Sequence, residues 1–309
     1  MSGIFVALQG AVAQGVLWGV MVLGVYITYR LLNIADLTVD GSFALGGCVC
    51  ATLIISYNVN PVLAIVIAAL TGMAAGAATG ILHTVFEIPA ILAGILTQIS
   101  LWSVNLRVMG GKSNLPLLKL TTLISGVSDL LGITQAQSSM IVGVVIAALL
   151  VAVLYWFFGT ELGSALRATG YNEDMIRALG VNTNTMKLLA LMLSNGLVSL
   201  SGALVCQHQK YADINMGRGA IVIGLAAIVI GEVLMGKLIN FGMKLASVVV
   251  GSIVYFLIRA IVLQLGLKTN DMNLFTALFV ACALSIPVLT AKWKAKKAYT
   301  EKVEEDETC

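Results

Sequence analysis

The chain is dominated by continuous apolar runs of the length a helix needs to cross a bilayer, about 20 residues. They occupy residues 7–29, 38–57, 61–81, 88–108, 139–158, 187–206, 218–235, 242–265 and 272–290. None shows the ten-residue alternation of a membrane β-barrel strand. Composition points the same way. Of 309 residues, 59% are hydrophobic and 11% are charged, and the mean hydropathy is +0.98. A soluble domain carries about a quarter charged residues; a chain this apolar lacks the polar surface to cover a core in water. The expected fold is all-α, a polytopic transmembrane bundle of about 8–10 helices. One domain is expected over residues 1–290, followed by a charged tail, 291–309, that switches from basic to acidic.

Charge placement gives an expected orientation. The loop 159–187 carries Arg167, Arg177 and Lys187, and Lys292, Lys294, Lys296 and Lys297 follow the last apolar run. The positive-inside rule places both in the cytoplasm of a cell-membrane protein. Threading back puts Arg30 inside and the N-terminus outside. Loops 109–138 and 207–217 fall outside, although they hold Lys112, Lys119 and Lys210. No Lys or Arg precedes the first run and no cleavage site follows it, so it reads as a retained helix. The net charge of +3 is small, and no basic stripe suggests a nucleic-acid partner.

Cys48, Cys50, Cys206, Cys282 and Cys309 lack the paired spacing of a zinc site and read as small apolar residues. With only His83 and His208, a histidine-built metal centre is not expected. Gly72, Gly76 and Gly80 recur every four residues, a small-residue face that lets two helix backbones approach closely.

Two segments carry functional information. The first is Asn33–Gly47, where Asp36, Thr38, Asp40, Gly41, Ser42, Gly46 and Gly47 open an apolar run. Charges at membrane depth are costly and face protein or water; irregular backbone there survives only within protein or beside a cavity. A broken or re-entrant second helix lining a pathway fits. So does an ordinary helix start with Asp36 as cap and Asp40 complementing the dipole of the first turn. Candidate pathway-lining residues are Thr38, Asp40, Ser42, Gln98, Asn105, Ser194 and Asn195. Each is equally of a type that hydrogen-bonds one membrane helix to another.

The second lies in the 159–187 loop. Asn172 suits an N-cap, Glu173 and Asp174 suit a first helical turn, and Gly180 suits the position past the end. Met175, Ile176 and Leu179 share one face of this short helix. Two turns are not stable alone, so the face packs on its own chain or docks on a partner.

The segment Gly163–Asn182, which includes Arg167-Ala168-Thr169-Gly170-Tyr171-Asn172, resembles the loop of ATP-binding-cassette importer permeases for branched-chain amino acids and ribose-type sugars. Met175 and Ile176 stand where that family has alanines. Asp36-Leu37-Thr38-Val39-Asp40-Gly41-Ser42 is similar to the family's entry to its broken second helix. Gly224–Glu232 matches an apolar helix, with Glu232 in place of a usual glycine. Ile88–Thr97 and Asn105–Leu118 are similar to a subgroup sometimes assigned to tryptophan or tyrosine uptake.

The resemblance implies two permease copies forming the pathway and an extracytoplasmic binding protein that delivers a small polar solute, most simply an amino acid. It also implies cytoplasmic ATPase subunits docked around Asn172, Glu173, Asp174, Met175, Ile176, Arg177, Leu179 and Gly180. ATP and Mg would be bound by those partners. This chain would hold no cofactor, metal or catalytic residue: Gly111-Lys112-Ser113 ends like a phosphate-binding loop, but Leu106 occupies the place of its first glycine.

Two other classes compete. A stand-alone secondary transporter driven by an ion gradient calls for intramembrane charges and inverted repeats, and no repeat is evident. A membrane-embedded enzyme calls for a catalytic constellation; His83 and Glu87, one helical turn apart, are the nearest approach.

Overall fold

The computed structural model describes residues 2–118, 120–235, 240–266 and 274–278, together with 281, 282, 285 and 293. The apolar runs fold as helices α1 (Ser2–Tyr26, continued by a π-helical turn, Ile27–Leu31), α2 (Thr38–Tyr57), α3 (Pro61–Thr84) and α4 (Ala90–Val108). A strand β1 (Asn114–Pro116) and a short helix α5 (Leu123–Leu131) lead to α6 (Gln135–Gly159). Then come α7 (Glu161–Tyr171), α8 (Glu173–Ala178), α9 (Thr183–Gln209), β2 (Tyr211–Asp213), α10 (Ala220–Met235) and α11 (Phe241–Gln264). Seven of these helices are long and apolar enough to cross a membrane, and α10 is a shorter apolar helix. The expected all-α bundle is therefore observed. The predicted run 272–290 and the tail 291–309 lie largely outside the described residues.

Side-chain contacts sort the loops into two ends. Asn184 Nδ2 bonds Thr84 O, joining the start of α9 to the end of α3. Arg30 pairs with Glu232, joining the ends of α1 and α10. The α7–α8 loop belongs to this end, because Gly170 packs on the backbone of Leu31 and Leu32. At the opposite end β1 pairs antiparallel with β2, Leu115 facing Ala212. There Gln207 accepts from Leu123 N and donates to Pro61 O. So Arg30 shares an end with 159–187, and the loops before α6 and after α9 share the other, as the charge pattern predicts.

The core is formed by α1, α2 and α9, while α4 and α6 turn most of their surface outward. The glycine stripe explains the tightest contact. A Cβ on Gly72 would lie 2.4 Å from Asn195 O, and one on Gly76 2.2 Å from Leu191 O. Only glycine lets α3 sit this close to α9, and Ser199 Oγ then reaches Ala68 O at 2.6 Å.

The structure also contains an inverted repeat that the sequence reading did not find. Residues 33–37, Asn-Ile-Ala-Asp-Leu, correspond to 210–214, Lys-Tyr-Ala-Asp-Ile. Asn33 and Lys210 both leave their helices at φ 59°. Asp36 Oδ1 then accepts from Thr38 N at 2.9 Å, and Asp213 Oδ1 accepts from Asn215 N at 2.7 Å. Packing repeats too: α3 lies antiparallel on α9, and α11 antiparallel on α1, where Ser252 Oγ bonds Gly15 O at 2.7 Å. Ser201 meets Leu17 while Ser194 meets Gly24, so α1 and α9 themselves run in opposite directions. The unit α1–α2–α3 is thus repeated, inverted, as α9–α10–α11.

Candidate functional sites

Both copies of the repeated break lead into helices that start inside the bundle. Asp36 is 2% exposed. Its Oδ2 accepts from Asn195 Nδ2 at 2.7 Å, and Asn195 stands about 18 Å along α9 at 1.5 Å per residue. The chain therefore returns deep into the bundle before α2 begins, as expected of a broken second helix. Thr38 Oγ1 lies 2.7 Å from Thr79 Oγ1, and Ser42 Oγ donates to Asn195 Oδ1 at 2.7 Å. Ser194 Oγ donates to Gly24 O at 2.8 Å.

Asp40 lies in the first turn of α2, as expected, and does a second job. Its carboxylate accepts from Gly219 N and Ile221 N, both at 3.0 Å. It caps the start of α10. The reason is the second break: residues 214–219 fold inward from β2, and Gly217 rests on the backbone of Asp40. The two interrupted helices begin against each other.

Of the seven candidate pathway residues, Thr38, Ser42, Ser194 and Asn195 are fully buried and bonded between helices. Asp40, Gln98 and Asn105 instead line a cavity of about 330 Å³ between α2, α4 and the 214–219 segment. Trp102, Asn215 and Arg218 line it as well and were not singled out from sequence. The signal was present: Gln98, Trp102 and Asn105 are spaced four and three apart, on one face of α4.

The predicted short helix is α8. Asn172 Oδ1 accepts from Met175 N at 3.0 Å, and Gly180 adopts φ +83° just past the end. Its apolar face divides differently from the expectation. Ile176 is 5% exposed and packs on its own chain, whereas Met175 and Leu179 point outward, 51% and 71% exposed. Tyr171, 94% exposed, stands at the end of α7, just before the cap. Asp174 is exposed in the first turn.

Glu173 anchors this helix. Its Oε2 accepts from Lys187 Nζ at 2.7 Å, and its Oε1 from Arg177 Nη2 at 2.9 Å and Thr183 Oγ1 at 3.1 Å. The Lys187 bond holds the carboxyl below its usual range. These residues border a second cavity, about 520 Å³, shared with His83 and Glu87. His83 Nδ1 is 2.9 Å from Ile88 O rather than facing Glu87. Arg167 lies over the Phe241 ring at 5.0 Å and ties α7 to α11.

Two buried helix breaks meeting inside a bundle, with a capped amphipathic helix at one end, are the geometry of a transport component. The family model for the permease component of branched-chain amino acid transport systems matches residues 7–284. The chain belongs to this family. A tyrosine transport system permease protein of Clostridioides difficile is 36% identical over 298 residues, covering 96% of each chain. The ribose import permease protein of Escherichia coli K12 is 30% identical over 242 residues, 77% of this chain and 69% of that one. An autoinducer 2 import system permease protein of Yersinia pestis is 30% identical over 172 residues, 54% of this chain and 45% of that one. No solved structure matches.

The chain is thus the permease of an importer of the ATP-binding-cassette type, a multi-pass membrane protein and not an enzyme. The inverted repeat removes one sequence argument against a stand-alone secondary transporter; family membership decides for the importer component.

Proposed function

We propose that this permease carries an amino acid across the cell membrane, with the α8 end in the cytoplasm. Two copies form the pathway. An extracytoplasmic binding protein delivers the solute at the β1–β2 end, and cytoplasmic ATPase subunits dock on α8. Met175 and Leu179 form the docking face, with the exposed Tyr171 at the end of α7 beside the cap, and Ile176 serves as the internal anchor. The observation that carries this reading is the outward pair Met175 and Leu179 on a short helix fixed to the bundle by Glu173 and Lys187. A short amphipathic helix that keeps half its apolar face uncovered on a rigid base suits insertion into a partner's groove. Motion imposed there reaches α9 through the Glu173–Lys187 pair, and α9 carries Asn195 at the break. The amino acid is favoured by the tyrosine permease likeness, and the cytoplasmic assignment by the positive-inside rule.

The test is co-purification in mild detergent. The tagged chain, expressed with its ATPase, retains that subunit. Met175→Asp combined with Leu179→Asp releases it while the permease keeps its thermal unfolding midpoint. Retention of the ATPase by the double variant would show that the docking face lies elsewhere.

A further inference from the structure

The cavity between α2, α4 and residues 214–219 holds an unused set of binding groups. Arg218 has no ion-pair partner among the described residues; its one hydrogen bond there is from backbone N to Asn215 O. Asp40, across the same cavity, has both carboxylate oxygens committed to the start of α10. Asn105 is 1% exposed, and its Oδ1 has no donor; its Nδ2 reaches Gly41 O only at 3.5 Å. A buried amide oxygen without a partner costs about 1–3 kcal/mol. Gln98 lines the same space, and Trp102 and Ile99, 47% and 64% exposed, supply an apolar wall.

These groups call for one kind of solute. A guanidinium pairs best with a carboxylate, which it holds through two parallel bonds. An orphaned amide oxygen beside a second amide calls for an N–H donor. An indole offers a face for an apolar or aromatic body. A sugar would satisfy the amides and stack on Trp102, but it offers no carboxylate to the exposed Arg218 guanidinium. A carboxylate, an ammonium and an apolar side chain on one small frame describe an α-amino acid, and about 330 Å³ is at the small end of ligand-site volumes.

We propose that this cavity is an amino-acid subsite: Arg218 binds the carboxylate, Asn105 and Gln98 take the ammonium, and Trp102 with Ile99 carries the side chain. This deepens the amino-acid reading above by placing recognition in the membrane chain itself, in addition to whatever a binding protein selects.

The test is saturation-transfer NMR on the full chain in phosphatidylcholine nanodiscs, whose headgroup offers no N–H donor. The probes are L-phenylalanine, phenethylamine (no carboxylate), 3-phenylpropionate (no ammonium) and D-ribose, each at millimolar concentration. Wild type is expected to bind phenylalanine about tenfold or more tightly than either truncated analogue. Arg218→Gln should erase the preference over phenethylamine, with Arg218→Lys intermediate. Asn105→Leu should erase the preference over 3-phenylpropionate. Should a variant fail to fold, the comparison of the four probes on wild type decides alone. No phenylalanine signal, equal binding of the three phenyl compounds, or a signal from ribose only would each overturn the proposal. ATPase retention, measured on the same preparation, stands or falls separately.

Discussion

Asp36 and Asn195, separated by 159 positions in sequence, meet at 2.7 Å in the interior of the bundle. The contact joins the break before α2 to the middle of α9. Asn195 also accepts from Ser42 and donates to Leu191 O, so one amide holds three segments together. Asn195→Leu leaves the buried Asp36 carboxylate short of a donor. It should destabilise the chain by about 3 kcal/mol, read as a lower unfolding midpoint in detergent. Asp36→Asn keeps the acceptor for Thr38 N but sets an NH2 against the Asn195 NH2, so it should also lower the midpoint.

The α3–α9 contact predicts a sharp positional contrast among glycines. Gly76→Ala places a methyl against Leu191 O and should cost about 1–3 kcal/mol through overpacking. Gly126→Ala, in α5, meets nothing within 4 Å and should be neutral or stabilising by a few tenths of a kcal/mol. Thermal unfolding of the two variants side by side checks the difference; equal effects would mean that α3 and α9 are farther apart.

Asp40 gives a prediction that separates capping from charge. Asp40→Ala strips two acceptors from the start of α10 and should cost about 1–2 kcal/mol. Asp40→Asn retains an acceptor and should recover part of the loss. Thermal unfolding of the two variants side by side in detergent reads the difference.

The Glu173 anchor predicts an acid limit. The Lys187 bond lowers its folded pKa below the unfolded value, so its stabilisation is fully present above the unfolded carboxylate range. It is lost as pH falls through the lowered folded value. A spin label at Met175→Cys, with Cys282 and Cys309 replaced by serine, should keep one line shape from neutral pH down through the ordinary carboxylate range. It should loosen only below that. Glu173→Gln should be loose at every pH.

Much of this was legible in the sequence. Apolar runs of bilayer length gave the helices, because backbone in lipid has few other options. Asn172, Glu173 and Gly180 marked α8 because capping is a local matter. Asp40 was placed correctly in the first turn of α2, but its bonds to Gly219 N and Ile221 N were not legible, because these partners are distant in sequence and only tertiary packing brings them near. Ile176 and Met175 could not be sorted into inner and outer for the same reason: two adjacent apolar residues on a six-residue helix do not announce which one its own bundle covers. The inverted repeat escaped because little beyond Ala-Asp and an aliphatic residue is shared between Ala35–Leu37 and Ala212–Ile214. The common element is a backbone path, with φ 59° at Asn33 and Lys210, which residue identity encodes weakly.

That duplicated architecture has a mechanical consequence. When two halves of one chain are near-equivalent and point opposite ways, exchanging their shapes turns a molecule open to one side into one open to the other. Any preference between such states has to come from a difference between the halves or from what binds them. Asp40 is such a difference: its counterpart across the repeat is Gly217, which has no carboxylate to lend to the opposite helix. The two breaks are therefore not interchangeable: α2 lends a carboxylate to the start of α10, and the equivalent position on the α10 side offers none in return.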